Sequence, residues 1–249
     1  MISYVKEATE TQGAIAVAEK TKKGQSDAGF VRVNEQVGKI AAFFKITDEL
    51  ALDANQLQSF ISNRLVAQVQ REEDNELLNG AGYPSIPGVL GRAGLQAAIP
   101  AAAATDPTVL VDAIFQQITN IRWNAFVEPD AIVINPFDWQ HLRLAKDKNG
   151  QYLTGGPFTG AYGNGGYTNV DALWGFKVVQ TPRIAAGTVL VGGFQECGQL
   201  FRRQGVTVEM ANQNEDDFVN NLITVRAESR AALAVYRPGG FGTVTPTWA

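Results

Sequence analysis

The residues that could do chemistry are few and widely spaced. One histidine, His141, and one cysteine, Cys197, are present. With only those two, no intrachain disulfide and no zinc set of the usual nitrogen and sulfur ligands can form. The carboxylates are scattered and no Gly-x-Ser-x-Gly elbow occurs, so a nucleophile with its base and orienting acid is not in view. His141 follows Trp139 in a helical stretch and reads as a packing or surface residue. The run Gly150–Gly166, GQYLTGGPFTGAYGNGG, is too rich in glycine for a regular element and is expected to be a mobile loop. It lacks a terminal Gly-Lys-Ser/Thr, and no strand leads straight into it, so it does not have the phosphate-loop pattern. An unrelated α/β enzyme that binds a ligand with Gly155–Gly166 is kept as a rival, and no cofactor or metal is expected.

Composition narrows the class. With 249 residues, 45% of them hydrophobic, the chain can build one large domain or two small ones around a real core. A net charge of -4 and a pI near 5.1 are unlike the basic footprint of a protein that reads nucleic-acid sequence. No apolar run is long enough for a bilayer, and the N-terminus lacks a secretion pattern. A soluble protein assembled in a reducing cytoplasm is expected.

The dominant element is the run from Ile46 to Gly82. Asp53 as N-cap with Gln56 three residues on forms a capping pair. Leu57, Phe60, Ile61, Leu65 and Val69 recur at helical spacing, polar residues including Glu72, Glu73 and Asp74 cover the other sides, and Gly80 follows the end. A helix over 53–79, roughly 40 Å long, is predicted. Before it, Ala14–Ala18 and Phe30–Val33 have strand character and flank a polar tip, a hairpin too poor in apolar surface to stand alone.

After it, Ala81–Ala104 reads as an irregular connector, with a domain boundary near Pro100. Asp106-Pro107 opens a helix carrying Val109, Leu110, Ile114, Ile118 and Ile121 on one face. Ala131–Ile134 is a strand, and Asn135-Pro136 starts a helix through Phe137, Trp139, Leu142 and Leu144. Short strands are predicted at Lys177–Gln180, Thr188–Gly192 and Val206–Met210, and a long one within Asp216–Pro238.

The stretch ITDEL…DANQLQSFISNRL…ELLNG, the segment Asn135-Pro-Phe-Asp-Trp139 and the run AAGTVLVGGF resemble, in order and spacing, the major capsid proteins of tailed bacteriophages. The resemblance runs from Tyr4 to about Phe241. It implies an α+β, HK97-like fold. The E-loop would occupy 1–37, and a peripheral domain 38–99 and 200–231, with its spine helix at 53–79. An axial domain would occupy 100–199 and 232–249, its glycine-rich loop pointing to a capsomer centre. The implied function is structural: hexamers and pentamers closing into an icosahedral shell, in the virion, around double-stranded DNA held without sequence reading. Implied partners are further copies, a portal, a scaffold or scaffolding protease, and decoration proteins, with no membrane. Met1 stands almost directly before the E-loop, so the N-terminal arm of such proteins is expected to be missing, trimmed or replaced by a separate scaffold. An encapsulin-like cellular compartment is the alternative.

Some members of that family join subunits by a lysine–asparagine isopeptide bond assisted by a glutamate. The resemblance maps these onto Lys23, with Lys22 its neighbour, Asn221 and Glu228. The reaction needs a neutral amine and a carboxyl of raised pKa in a dry pocket. Asn221 and Glu228, seven residues apart on an extended strand, would stand about 23 Å apart. Different subunits must therefore supply the three groups. Gln204 and Arg226 map to pocket-lining positions and would wet it. The bland reading is Lys23 at a solvated tip, Asn221 at a strand edge and Glu228 paired with Arg226 or Arg230.

Overall fold

The computed structural model describes residues 1–11, 13–53, 55–103, 106–146, 149–150 and 171–248, the side chains of 8–11, 51–53 and 55–59 excepted. The glycine-rich loop beyond Gly150, and the side chains of Asp53, Gln56 and Leu57, lie outside these. Strand β1 (Ile2–Thr11) and β2 (Asp27–Glu35) form a two-stranded sheet. They are followed by β3 (Gly38–Thr47), α1 (Asp48–Asp53) and α2 (Asn55–Asn79). Next come β4 (Gln96–Ala101), α3 (Thr108–Ala125), β5 (Ala131–Ile134), α4 (Pro136–Arg143), β6 (Ala172–Leu173), β7 (Phe176–Gln180), β8 (Val189–Gly192) and α5 (Phe194–Cys197). Strands β9 (Gly198–Ala211), β10 (Leu222–Val235) and β11 (Phe241–Pro246) complete the order. The chain divides into two compact units. One comprises Met1–Tyr4, Val33–Gly91 and Leu200–Ala234, and the other Val5–Arg32, Arg92–Gln199 and Val235–Ala249.

In the first unit the sheet order is β3-β10-β9, with α2 against one face. Leu65 and Val69 of α2 pack with Ile46, Val225 and Ala227, joined by Ile40, Phe44, Val206 and Val208. At 25 residues α2 is about 38 Å long. Two residues depart from the predicted face. Phe60 is exposed, whereas Glu73, read as part of the polar surround, continues the Leu65–Val69 row at i+4 and is buried. Its carboxylate accepts from Arg202 of β9 at 2.7 Å, the pairing that a buried charge requires.

The second unit is built on a six-stranded sheet of order β4-β11-β8-β5-β7-β6, with α3 packed on β4, β8 and β11. Leu110, Ala113, Ile114, Ile118 and Ile121 are buried along α3, while Val109 is exposed. The Asp106 carboxylate accepts the Thr108 N–H at 2.9 Å. Asn135 caps α4 by accepting from the Phe137 N–H and donates to the Ile184 carbonyl at 2.7 Å. Buried Asp138 accepts from the Gly187 N–H and the Trp248 indole, at 2.9 and 2.6 Å.

Several expectations need correction. Residues 14–18 form no strand, and the hairpin's first strand is Ile2–Thr11. Strand β4 runs through the expected irregular connector. It is an edge strand, parallel to β11, where Pro100 forfeits no ladder bond on the open side. Strand β9 is longer than predicted, and residues 216–221 are turn, with the strand beginning at Leu222.

The two aromatic and aliphatic positions that the periodicity grouped together should separate on mutation. Leu65→Ala is expected to lower unfolding free energy by about 2–5 kcal/mol, whereas Phe60→Ala should stay within about 0.5 kcal/mol. Denaturant unfolding followed by circular dichroism measures both, and a large loss for Phe60→Ala alone would contradict the packing.

Candidate functional site

The alternation of β10 sorts its residues by face. Val225, Ala227, Ser229 and Ala231 are buried, so Arg226, Glu228 and Arg230 project from the side away from α2. The antiparallel register sets Arg226 opposite Phe43, Glu228 opposite Ala41, and Arg230 opposite Lys39. Glu228 accepts from the Lys39 ammonium at 2.7 Å and lies 3.2 Å from Arg226 Nε, while Arg226 reaches Glu209 of β9 at 2.7 Å. The Lys39 hydrogen bond first, and the Arg226 charge with it, hold Glu228 below the usual glutamate range. A raised value, which a proton-accepting base in a dry pocket needs, is the opposite of what the subunit has. Pairing with Arg226, one of the bland alternatives, is present. Gln204 donates to the Thr207 hydroxyl at 3.0 Å.

Asn221 lies outside β10, at the end of the turn, with φ of 50°. Its side chain is exposed and its carbonyl accepts from the Asp48 N–H at 2.8 Å. It borders a cleft of about 520 Å³ with Asp48, Met210, Asp217, Phe218 and Ile223. Buried Asp217 fixes the base of this turn, accepting from the Thr224 hydroxyl and from Lys45 at 2.9 Å. Thr224 chiefly, then Lys45, hold its carboxyl below the ordinary aspartate value. Beyond it Phe218 and Val219 are 75% and 80% exposed.

Lys22 and Lys23 are exposed in the irregular segment between β1 and β2. The neck of this arm is a backbone crossing. A Cβ on Gly13 would meet the Gln25 carbonyl oxygen at 1.9 Å, and one on Gly24 the Gly13 oxygen at 1.9 Å. Within their own unit Asn221 and Glu228 do not meet. Lys23 belongs to the second unit, Asn221 and Glu228 to the first. The strand from Leu222 to Glu228, six steps of about 3.3 Å, holds the latter two roughly 20 Å apart.

Elsewhere, His141 stacks on Trp248 with ring centres 4.4 Å apart. Cys197 is buried, and burial first, then the nearby Glu196, pushes its thiol up to about 11. No helix is long and apolar enough to cross a membrane, and no cluster of three metal-ligating side chains occurs, both among the described residues. The sequence reading missed Lys39, Glu209 and the Asp217 anchor. The Arg-x-Glu-x-Arg spacing of two signals the charged strand face, but its partners sit on strands distant in sequence.

Residues 2–245 match the sequence model described as "Phage capsid family". The chain belongs to that family. It is 36% identical over 239 residues to the major capsid protein of Enterobacteria phage HK97, covering 95% of this chain and 59% of the relative's length. Among solved structures, one from Gordonia phage Cozz superposes with a TM-score of 0.72 at 15% identity, covering 99% of this chain and 81% of the other. The capsid of a native GTA particle gives a TM-score of 0.70 at 18% identity, over 98% and 85% of the two chains. A virus-like particle from Pyrococcus furiosus gives 0.63 at 11%, over 97% and 86%. The fold of this capsid-family chain is α+β and HK97-like.

Because the Glu228 and Asp217 carboxyls lie below their unfolded values, their stabilisation is complete above about pH 4.3 and is lost as pH falls through the depressed values. Between pH 5 and 2.5 the melting temperature of the wild type is expected to fall more steeply than that of Glu228→Gln. Parallel curves would mean that the Lys39–Glu228–Arg226 pairing adds nothing in solution.

Proposed function

We propose that this chain is the structural subunit of a phage-type shell, forming hexamers and pentamers that close into an icosahedral container for double-stranded DNA in the virion. The observation that carries this is family membership across residues 2–245, joined to the HK97-like fold. On this reading the unit holding α2 is the peripheral domain and α2 its spine helix. The unit holding the six-stranded sheet is the axial domain, and residues of β1, β2 and the segment between them are the E-loop that overlaps a neighbour. The work is geometric: identical weak interfaces add up through closed symmetry. A portal, a scaffold or its protease, and decoration proteins are the partners such a shell calls for. No turnover of a substrate is part of it.

The fold by itself does not separate a phage shell from an encapsulin-like cellular compartment, since the Pyrococcus furiosus particle shares it. The 36% identity to a phage capsid protein favours the phage reading. It also weighs against a ligand-binding enzyme built on the glycine-rich loop.

A weld between Lys23 and Asn221 with Glu228 as base would require that Lys39 and Arg226 release the carboxylate as neighbours arrive, and that the incoming amine be stripped of water. The ion pairs favour a shell held without the covalent bond.

Negative-stain electron microscopy of the purified protein is expected to give closed polyhedral shells or hexameric rings, with DNA rather than protein cargo in shells recovered from infected cells. Small monodisperse particles under all assembly conditions would refute the shell reading. Boiled in detergent, the same shells should run as one band near 26.8 kDa. A ladder of multimers lost in both Lys23→Arg and Asn221→Asp would instead establish the weld.

A further inference from the structure

The outer face of the β3–β10 pair carries one cation that the rest of the face does not neutralise. Lys39 and Arg230 stand directly opposite one another in the ladder, a like-charge pairing that is unfavourable without an intervening anion. Glu228 answers Lys39 and Arg226, and Glu209 answers Arg226. Arg230 feels Glu228 only at longer range and makes no ion pair among the described residues. Its Nε–H is shut off from solvent and has no acceptor there. A donor that is both charged and unmet is rarely left so in a folded protein.

Arg230 lines a cleft of about 450 Å³ together with Lys39, Gln36 and Tyr83, and no carboxylate is among the lining residues. The wall that carries Tyr83 is fixed. Ala81 and Pro87 bridge, the Gly88 N–H donates to the Gly80 carbonyl at 2.8 Å, and Glu76 accepts from the Ile86 N–H at 3.1 Å. Gly38 admits this loop against the start of β3, since a Cβ there would meet Ile86 Cγ1 at 2.7 Å.

We propose that this cleft binds a phosphate oxyanion. The guanidinium fork and the ammonium come from neighbouring strands, the Gln36 amide from the end of β2 and the Tyr83 phenol from the loop after α2. Two cations and two neutral donors thus border one cleft with no carboxylate among its lining residues, a composition that suits an oxyanion with several acceptor oxygens. The phosphate neutralises Arg230 through the guanidinium nitrogens that face the cleft and relieves the opposition of Arg230 and Lys39. Free phosphate and a nucleic-acid backbone offer the same chemistry. The site stands independently of the shell reading, since every residue in it belongs to one unit of one chain.

The test is isothermal titration calorimetry on the full chain with inorganic phosphate, ionic strength held constant with chloride. Saturable binding is expected, weakened at least tenfold in Arg230→Gln and unchanged in Lys177→Gln, which removes an exposed cation elsewhere. Arg230→Lys keeps charge and stem but loses the fork. It should fall between the two, and it guards against a folding defect in the glutamine variant. A short single-stranded oligonucleotide added as competitor separates the sources: displacement of phosphate points to a nucleic-acid backbone, and no displacement to the free anion. Saturable binding of neither probe, or binding undiminished in Arg230→Gln, overturns the proposal.

Discussion

Everything in the first unit depends on one seam, where Leu65 and Val69 of α2 meet Val225 and Ala227 of β10. Because side chains on a strand alternate, burying the odd-numbered residues of β10 leaves Arg226, Glu228 and Arg230 no choice but the opposite face. A slip of one residue would bring three charges under the helix and strand the apolar set in water. The charged face is thus a by-product of the seam, and the register that makes the core also fixes which cation sits opposite which.

That face is close to electrically self-sufficient. Lys39, Glu228, Arg226 and Glu209 form a chain of contacts crossing all three strands, and Glu228 is held charged by the cations beside it. A carboxylate so engaged serves as a tie between strands and is poorly suited to taking up a proton. On the helix side the Glu73–Arg202 ion pair ties α2 to β9. The sheet is therefore cross-braced by charge above and packed by apolar groups below.

How far the sequence disclosed this follows from the range of each interaction. The long helix, the Asn135 cap and the Ile114–Ile118–Ile121 face were legible because caps and periodicity are local. The strand β4 was hidden because Gln96–Ala101 is alanine-rich with a proline, and only its parallel partner β11, far along the chain, makes it a strand. The interruption of the predicted hairpin has a similar cause: Ala14–Ala18 has strand composition but no ladder partner. Of the candidate site, the identities of Lys23, Asn221 and Glu228 could be mapped by resemblance. The state of Glu228 could not, since Lys39 lies 189 positions earlier and Glu209 acts through Arg226. Glu73 was misread for the same reason: among three successive acids, only the geometry of Arg202 distinguishes the one that turns inward.

Cys197 has a practical consequence. It is the chain's one thiol, it is buried against Gly240, where even a methyl group would strike its sulfur at 2.3 Å, and its pKa near 11 keeps it protonated at neutral pH. Thiolates, not thiols, react with maleimides. A cysteine introduced at the exposed Phe218 or Val219 turn would accordingly be the sole target for a fluorophore or spin label, with no need to remove the native residue first.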